Sequence, residues 1–123
     1  MKTKATRSSA DVDGPSPSIR INWKDTQSIL ASWDMSEEYQ QGVEKEYAIP
    51  FQELPLVLRL YDVTYRNEIL NDGMDSYTDY DINYRASKWV LYGAMDGFKY
   101  CVDLGIRMID GRFYSLSRSE TLS

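Results

Sequence analysis

The 123-residue chain contains no histidine and a single cysteine, Cys101. Lacking histidine, it lacks the residue that most often serves as general base, nucleophile activator or metal ligand near neutral pH. With one cysteine no internal disulfide can form, and neither a zinc site built on cysteine and histidine spacing nor a Cys–His nucleophile can be assembled. Cys101 lies in a β-patterned run, where a buried thiol packs as a small hydrophobe. No stretch approaches the roughly 18–20 apolar residues of a membrane span. Residues 1–18 have no apolar segment of the secretory type, and a cytoplasmic location is the expectation. Positive charge is also in deficit, with 14 Lys and Arg against 19 Asp and Glu and a net charge of −5. That balance argues against nucleic-acid phosphate and against an anionic membrane surface as partners.

The acid excess sits mid-chain. Asp34 to Asp81 carries twelve acidic residues against three basic ones, whereas Gly105 to Ser123 carries three arginines and two acids. Such a run reads first as a solvated face and second as a patch for a basic partner or a cation. Aromatic residues are abundant, with ten tyrosines and three tryptophans. Tyrosine suits half-buried strand positions and also interfaces.

The length fits one domain, since a single core is normal at roughly 100–150 residues. Residues 1–18, ending in Gly14-Pro15-Ser16-Pro17-Ser18, predict a disordered polar tail, leaving 19–123 as the folded unit. Ile19 to Trp23 and Ser28 to Trp33 alternate as strands joined through Asp25-Thr26, the second with Ile29, Ala31 and Trp33 on one face. Asp34 stands three residues before Glu37, the spacing of a capping box. The helix so begun places Tyr39, Val43 and Tyr47 on one stripe and stops before Pro50. Leu56 to Tyr65 is the strongest strand. Leu56, Leu58 and Leu60 share one face, and Val57, Arg59 and Tyr61 form a second face too apolar to be simply wet, as expected of an internal strand. Asn67 to Ala86 reads as a long connection with room for a short extended stretch. From Lys88 onward, β-patterned runs are separated by Asp96-Gly97 and Asp110-Gly111, which predict hairpins. The fold class expected is mainly β: an antiparallel immunoglobulin-like sandwich with one short α-helix.

Candidate chemistry is sparse. Asp79-Tyr80-Asp81-Ile82-Asn83 matches the first three ligand positions of an EF-hand loop, but the sixth position holds Tyr84 instead of glycine and the twelfth Val90 instead of glutamate. A looser cation site among Asp72, Asp75, Asp79 and Asp81 is the weak alternative, and no metal or cofactor is otherwise implied. Asp62 and Asp103 are the two acids embedded in apolar runs. For Asp62 the plain role is capping the turn into Val63-Thr64 or pairing with Arg59 or Arg66. No phosphate loop and no nucleophile elbow is present, so the chain reads as no enzyme, a carboxylate-based hydrolase being the remote alternative. Trp23, Trp33 and Trp89 lie in strands. Their common fate is core packing, and exposed together with tyrosines they would form a carbohydrate platform.

Several motifs together resemble a bacterial family, domain of unknown function 4912. They are Leu56 to Thr64, the aromatic strand Ile29 to Trp33 with the acidic stretch after it, Trp89, the run Gly97 to Gly105, Asp110 to Phe113, and Ser117 to Ser119. The resemblance spans roughly residues 28 to 121. Asp103 stands where the family usually has Glu, and Glu120 where it usually has Asn. The resemblance implies a small β-sandwich and no activity. Among the shared residues, Gly97, Gly105 and Gly111 read as turn and bulge positions where a side chain would clash. Tyr100 reads as a tyrosine-corner residue. Arg112 and Arg118 have Asp62 or Asp103 as candidate counter-ions. As a surface, Arg112, Phe113, Tyr114 and Arg118, with Asp62, make a mixed cationic-aromatic strip. The function expected is non-catalytic binding of a protein partner or self-association, with carbohydrate as the second reading.

Overall fold

The structure, a computed structural model, describes residues 16–65 and 76–123. Seven strands and one α-helix follow in the order β1 (Ser18–Asp25), β2 (Ser28–Asp34), α1 (Glu37–Tyr47), β3 (Leu56–Asp62), β4 (Ser76–Asp81), β5 (Lys88–Tyr92), β6 (Tyr100–Arg107) and β7 (Phe113–Arg118), with a 3-10 turn at Phe51–Glu53. They form a three-stranded sheet, β1-β2-β5, and a four-stranded sheet, β4-β3-β6-β7, antiparallel throughout. This is the expected sandwich. The tail expected over 1–18 lies mostly outside the described residues, and Ser18 already opens β1, opposite Asp34. Residues 66–75, with Asp72 and Asp75 of the suggested cation site, also lie outside them.

Period-two alternation builds the interior. Ile19, Ile21, Ile29, Ala31, Trp33 and Leu91 from one sheet pack against Leu58, Leu60, Tyr100, Val102 and Leu104 from the other. A second cluster covers one end of the four-stranded sheet, where Tyr39 and Val43 of α1 join Phe51, Leu54, Leu56, Ile106 and Leu116. The stripe predicted for the helix is therefore its packing face, with Tyr39 and Val43 fully buried. Its cap differs from expectation. Ser36, not Asp34, takes the N-cap position, and its Oγ accepts from Tyr39 N at 3.1 Å. Asp34 is spent as the last residue of β2. The helix ends at Tyr47, before the proline, because Ala48 takes a left-handed φ of 57° while its N–H closes on Glu44 O.

Two connections depart from the sequence reading. The stretch Asn67 to Ala86 contains a full strand, β4, paired with β3 over Asp62↔Ser76 to Val57↔Asp81. The Asp96-Gly97 turn closes no hairpin: β5 pairs with β2 and β6 with β3, so the chain here crosses from one sheet to the other. Asp110-Gly111 does join the paired strands β6 and β7. Tyr100 opens β6, and its hydroxyl accepts from Met95 N at 2.9 Å, five residues upstream, as a tyrosine corner requires.

Candidate functional site on the four-stranded sheet

The inner face of the four-stranded sheet is apolar core. Its outer face carries charge and aromatic rings instead. β3 contributes Val57, Arg59 and Tyr61, β4 contributes Tyr77, Asp79 and Asp81, and β6 contributes Asp103, Gly105 and Arg107. β7 contributes Phe113, Ser115 and Arg118, and the last two do not belong together by simple alternation. The β6–β7 ladder shifts register between Leu104 and Gly105: Gly105 faces Ser115, but Leu104 faces Ser117. The extra residue, Leu116, is buried in the second core cluster. This bulge turns Arg118 onto the face that Phe113 and Ser115 occupy, five residues from Phe113 where strict alternation would put it on the opposite side.

The glycine reading is confirmed at Gly105 and corrected elsewhere. A Cβ on Gly105 would stand 2.5 Å from the Phe113 ring and 2.6 Å from the Tyr114 carbonyl oxygen. Gly97 and Gly111 have open space around them, and what their positions require is a φ of +92°.

Across the middle of the face runs one row of four charged residues. Asp79 is opposite Arg59, Arg59 is opposite Asp103, and Asp103 is opposite Arg118. Arg59 binds Asp79 through Nε at 2.8 Å and Nη2 at 3.0 Å. Arg118 binds Asp103 in the same two-pronged way, at 2.7 and 2.9 Å. Such forked pairs combine charge with fixed geometry. Asp103 is 0% exposed, and the Tyr61 hydroxyl donates its third bond at 2.9 Å. Arg107 extends the network, reaching Asp79 at 3.1 Å and Asp81 at 3.2 Å. The Arg59 guanidinium is also clamped between two rings, 3.9 Å from the Tyr77 centroid and 4.0 Å from that of Phe113, within cation–π range. Arg118 lies 5.4 Å from the Tyr61 ring.

The electrostatics follow from these contacts. Burial on its own raises the Asp79 carboxyl, but the bonds from Arg59 and Arg107 outweigh it and hold the group below its ordinary range. Tyr61 is pushed up to about 12, first by burial and then by the Asp103 charge it faces.

The residues proposed from sequence are thus divided. Phe113 and Arg118 share the outer face. Tyr114 is on the other side of β7, its ring 5.6 Å from that of Tyr47 on α1, and Arg112 leans toward Tyr114 while binding Asp110. Asp62 ends β3, opposite Ser76 and Tyr100; its Oδ1 accepts from Thr64 N and Thr64 Oγ1, the capping role expected of it. Asp79 and Asp81 offer no cation site of the EF-hand kind, because the Asp79 oxygens are engaged by two arginines and both residues lie in a strand. Among the described residues no group of three or more potential metal ligands occurs.

Sequence reasoning missed Arg59, Tyr77 and Asp79 as a unit. The available signal was the odd apolar second face of β3, which here is explained by the rings that cover it. Of the tryptophans, Trp33 is buried and Trp23 and Trp89 pack against the same core, so they make no exposed platform. Three described clefts, of about 460, 360 and 220 Å³, each contain one carboxylate, from Asp34, Asp62 and Glu120 respectively. None of these clefts brings together the two acids that carboxylate-based hydrolysis needs.

The family model for the domain of unknown function DUF4912 matches residues 17–123. The chain belongs to this family. No curated protein is matched by the sequence of this DUF4912 domain. Among solved structures it is similar to a fibronectin type III domain of human collagen XX, at 13% identity and a TM-score of 0.50, covering 90% of this chain and 92% of that one. It is also similar to the third fibronectin III domain of human KIAA0343 protein (11% identity, TM-score 0.51, 99% and 88% covered). A third likeness is to the structure of titin kinase and its flanking domains (10% identity, TM-score 0.53), covering 92% of this chain and 17% of that one. At these identities the likeness establishes the fold alone, a sandwich of the immunoglobulin and fibronectin type III kind.

Proposed function

We propose that this DUF4912 chain is a non-catalytic protein-interaction domain whose contact surface is the outer face of the β4-β3-β6-β7 sheet. One observation carries the reading: the Tyr77–Arg59–Phe113 stack lies directly beside the Arg118–Asp103–Tyr61 cluster on the face turned away from both core clusters. Tyrosine and arginine are the residues that dominate binding energy at protein interfaces. Here they are held in place before any partner arrives, which lowers the ordering cost of association. The fold supports the same direction, since sandwiches of this kind commonly serve protein interaction.

The test is capture from an extract of the source organism with immobilised wild-type chain, Tyr77→Ala and Lys88→Glu. Tyr77 is 53% exposed, and Lys88 is exposed on the other sheet. A partner held by wild type and Lys88→Glu but lost from Tyr77→Ala is the expected result. Equal retention by Tyr77→Ala would remove the outer face from the proposal.

A further inference from the structure

Resting on that reading of the outer face, we propose that the surface is built to meet a second copy of the same chain, about a two-fold axis parallel to the strands. The argument is the sign order of the central row. Read from β4 to β7, Asp79, Arg59, Asp103 and Arg118 alternate minus, plus, minus, plus at one register level. A two-fold axis lying in the interface parallel to the strands brings the β4 side of one copy over the β7 side of the other, and β3 over β6. Every member of the row then lies over one of opposite sign, Asp79 over Arg118 and Arg59 over Asp103, each twice, so the fields of the two rows match although Arg59, Asp79 and Asp103 stay bonded within their own chain. An axis in the interface perpendicular to the strands and crossing at the level of the row would leave each strand over itself and set like charges face to face. The row is thus self-complementary in one closed arrangement and self-repelling in the other, which is what an isologous interface demands.

Two further features agree. The face carries Arg59, Arg107 and Arg118 against Asp79, Asp81 and Asp103, three of each sign and hence neutral, on a chain of net charge −5. Two copies therefore repel least when they approach through this surface. The charges at its margins, Asp81 at 81% and Arg118 at 52% exposed, are placed to reach across while keeping their bonds to Arg107 and Asp103, whereas Arg59, Asp79 and Asp103 are 12%, 10% and 0% exposed. One level along from the row, Asp81, Val57, Gly105 and Ser115 stand opposite one another in turn. The same axis consequently places Asp81 over the second copy's Ser115, close to its Arg118. With strands about 4.8 Å apart and about six residues long, the face projects to roughly 400 Å². That is about half the area per partner of a standard interface, so the dimer expected is weak and reversible.

Sedimentation equilibrium from about 10 μM to about 1 mM protein at low salt tests this. Wild type is expected to dimerise. Asp81→Lys, at an exposed position, is expected to weaken the dimer about tenfold, since two symmetric contacts turn repulsive. Ser115→Lys is expected to tighten it severalfold, because the new ammonium meets the other copy's Asp81, and Lys88→Glu on the opposite sheet is expected to change nothing. Weakening by Ser115→Lys would overturn the axis, and a wild-type chain still monomeric at about 1 mM would overturn the second copy as partner. If that monomer nonetheless captures a host protein that Tyr77→Ala loses, the interaction face stands and only its occupant was wrong.

Discussion

Removing Arg118 tests whether the outer-face network is energetically real or a surface decoration. Arg118→Ala deletes a forked pair with contacts of 2.7 and 2.9 Å and leaves the Asp103 carboxylate, 0% exposed, with the Tyr61 hydroxyl as its remaining hydrogen-bond partner. Breaking a fully buried pair costs about 3–5 kcal/mol. Arg118 itself is 52% exposed, so once it is truncated water can reach Asp103, and the cost is discounted to about 2 kcal/mol. For a domain of this size that lowers the melting temperature by about 6–12 °C. Asp103→Asn removes the charge but keeps one acceptor for the guanidinium, and about 1 kcal/mol is expected. In the double variant neither a lone carboxylate nor a lone forked cation is left behind. The two effects should therefore fall short of additive by about 1 kcal/mol or more, read by urea denaturation of all four proteins. Additivity within about 0.5 kcal/mol, with Arg118→Ala itself costing less than that, would refute the assignment of an energetic role to the row.

Gly105→Ala should destabilise the domain by about 2–3 kcal/mol in the same assay, because a Cβ there collides with the Tyr114 carbonyl oxygen at 2.6 Å and backbone cannot step aside as the Phe113 ring can. At alkaline pH the tyrosines set the trend. The folded Tyr61 value, pushed up to about 12 from 10.0, means that the unfolded chain loses this proton first, so the contribution of this group to stability is complete below pH 10 and is lost as pH rises toward 12. Tyr80 shifts upward as well, chiefly by burial, and adds in the same direction. Denaturation midpoints taken across that range should flatten in Tyr61→Phe, and an unchanged slope would show that Tyr61 does not contribute.

The inner half of each sheet was legible because burial leaves a period-two imprint that side-chain hydropathy reports directly. Ile29, Ala31 and Trp33, and likewise Leu56, Leu58 and Leu60, are where the alternation put them. β4 was not legible for the converse reason. Ser76-Tyr77-Thr78-Asp79-Tyr80-Asp81 has too many acids to look like a strand until Arg59 and Arg107 from β3 and β6 neutralise them. Those arginines are 20 and 28 residues away in sequence from Asp79. Asp96-Gly97 misled because the positive φ that closes a hairpin equally serves a crossing between sheets; which of the two occurs depends on the strand that β5 finds, not on the turn. At β7 the residues of the site were noticed but grouped by adjacency. Alternation alone sets Tyr114 opposite Phe113 and with the helix, but only the bulge, with Leu116 and Ser117 set against Leu104, shows that Phe113 belongs with Arg118.

The bulge also bears on what the outer face is for. A sheet that only had to be covered would be served as well by apolar side chains, since replacing a buried ion pair by hydrophobic residues of similar volume is often neutral or stabilising by about 1–4 kcal/mol. The β7 strand instead interrupts its ladder at Leu104, an irregularity whose local consequence is to turn one guanidinium toward Asp103. Without that turn the row would end on β6 as minus, plus, minus, with Asp103 buried and its principal counter-ion on the wrong side of the strand. With it, the row closes as two forked pairs, one exposed cation at its β7 end and an exposed acid, Asp81, beside its β4 end. On the inner side the bulge also sets Ser119 into the sheet, where it is 7% exposed and its Oγ accepts from Val102 N at 2.9 Å. On the outer side it completes the alternating row by bringing Arg118 to Asp103, the feature on which the proposed contact surface rests.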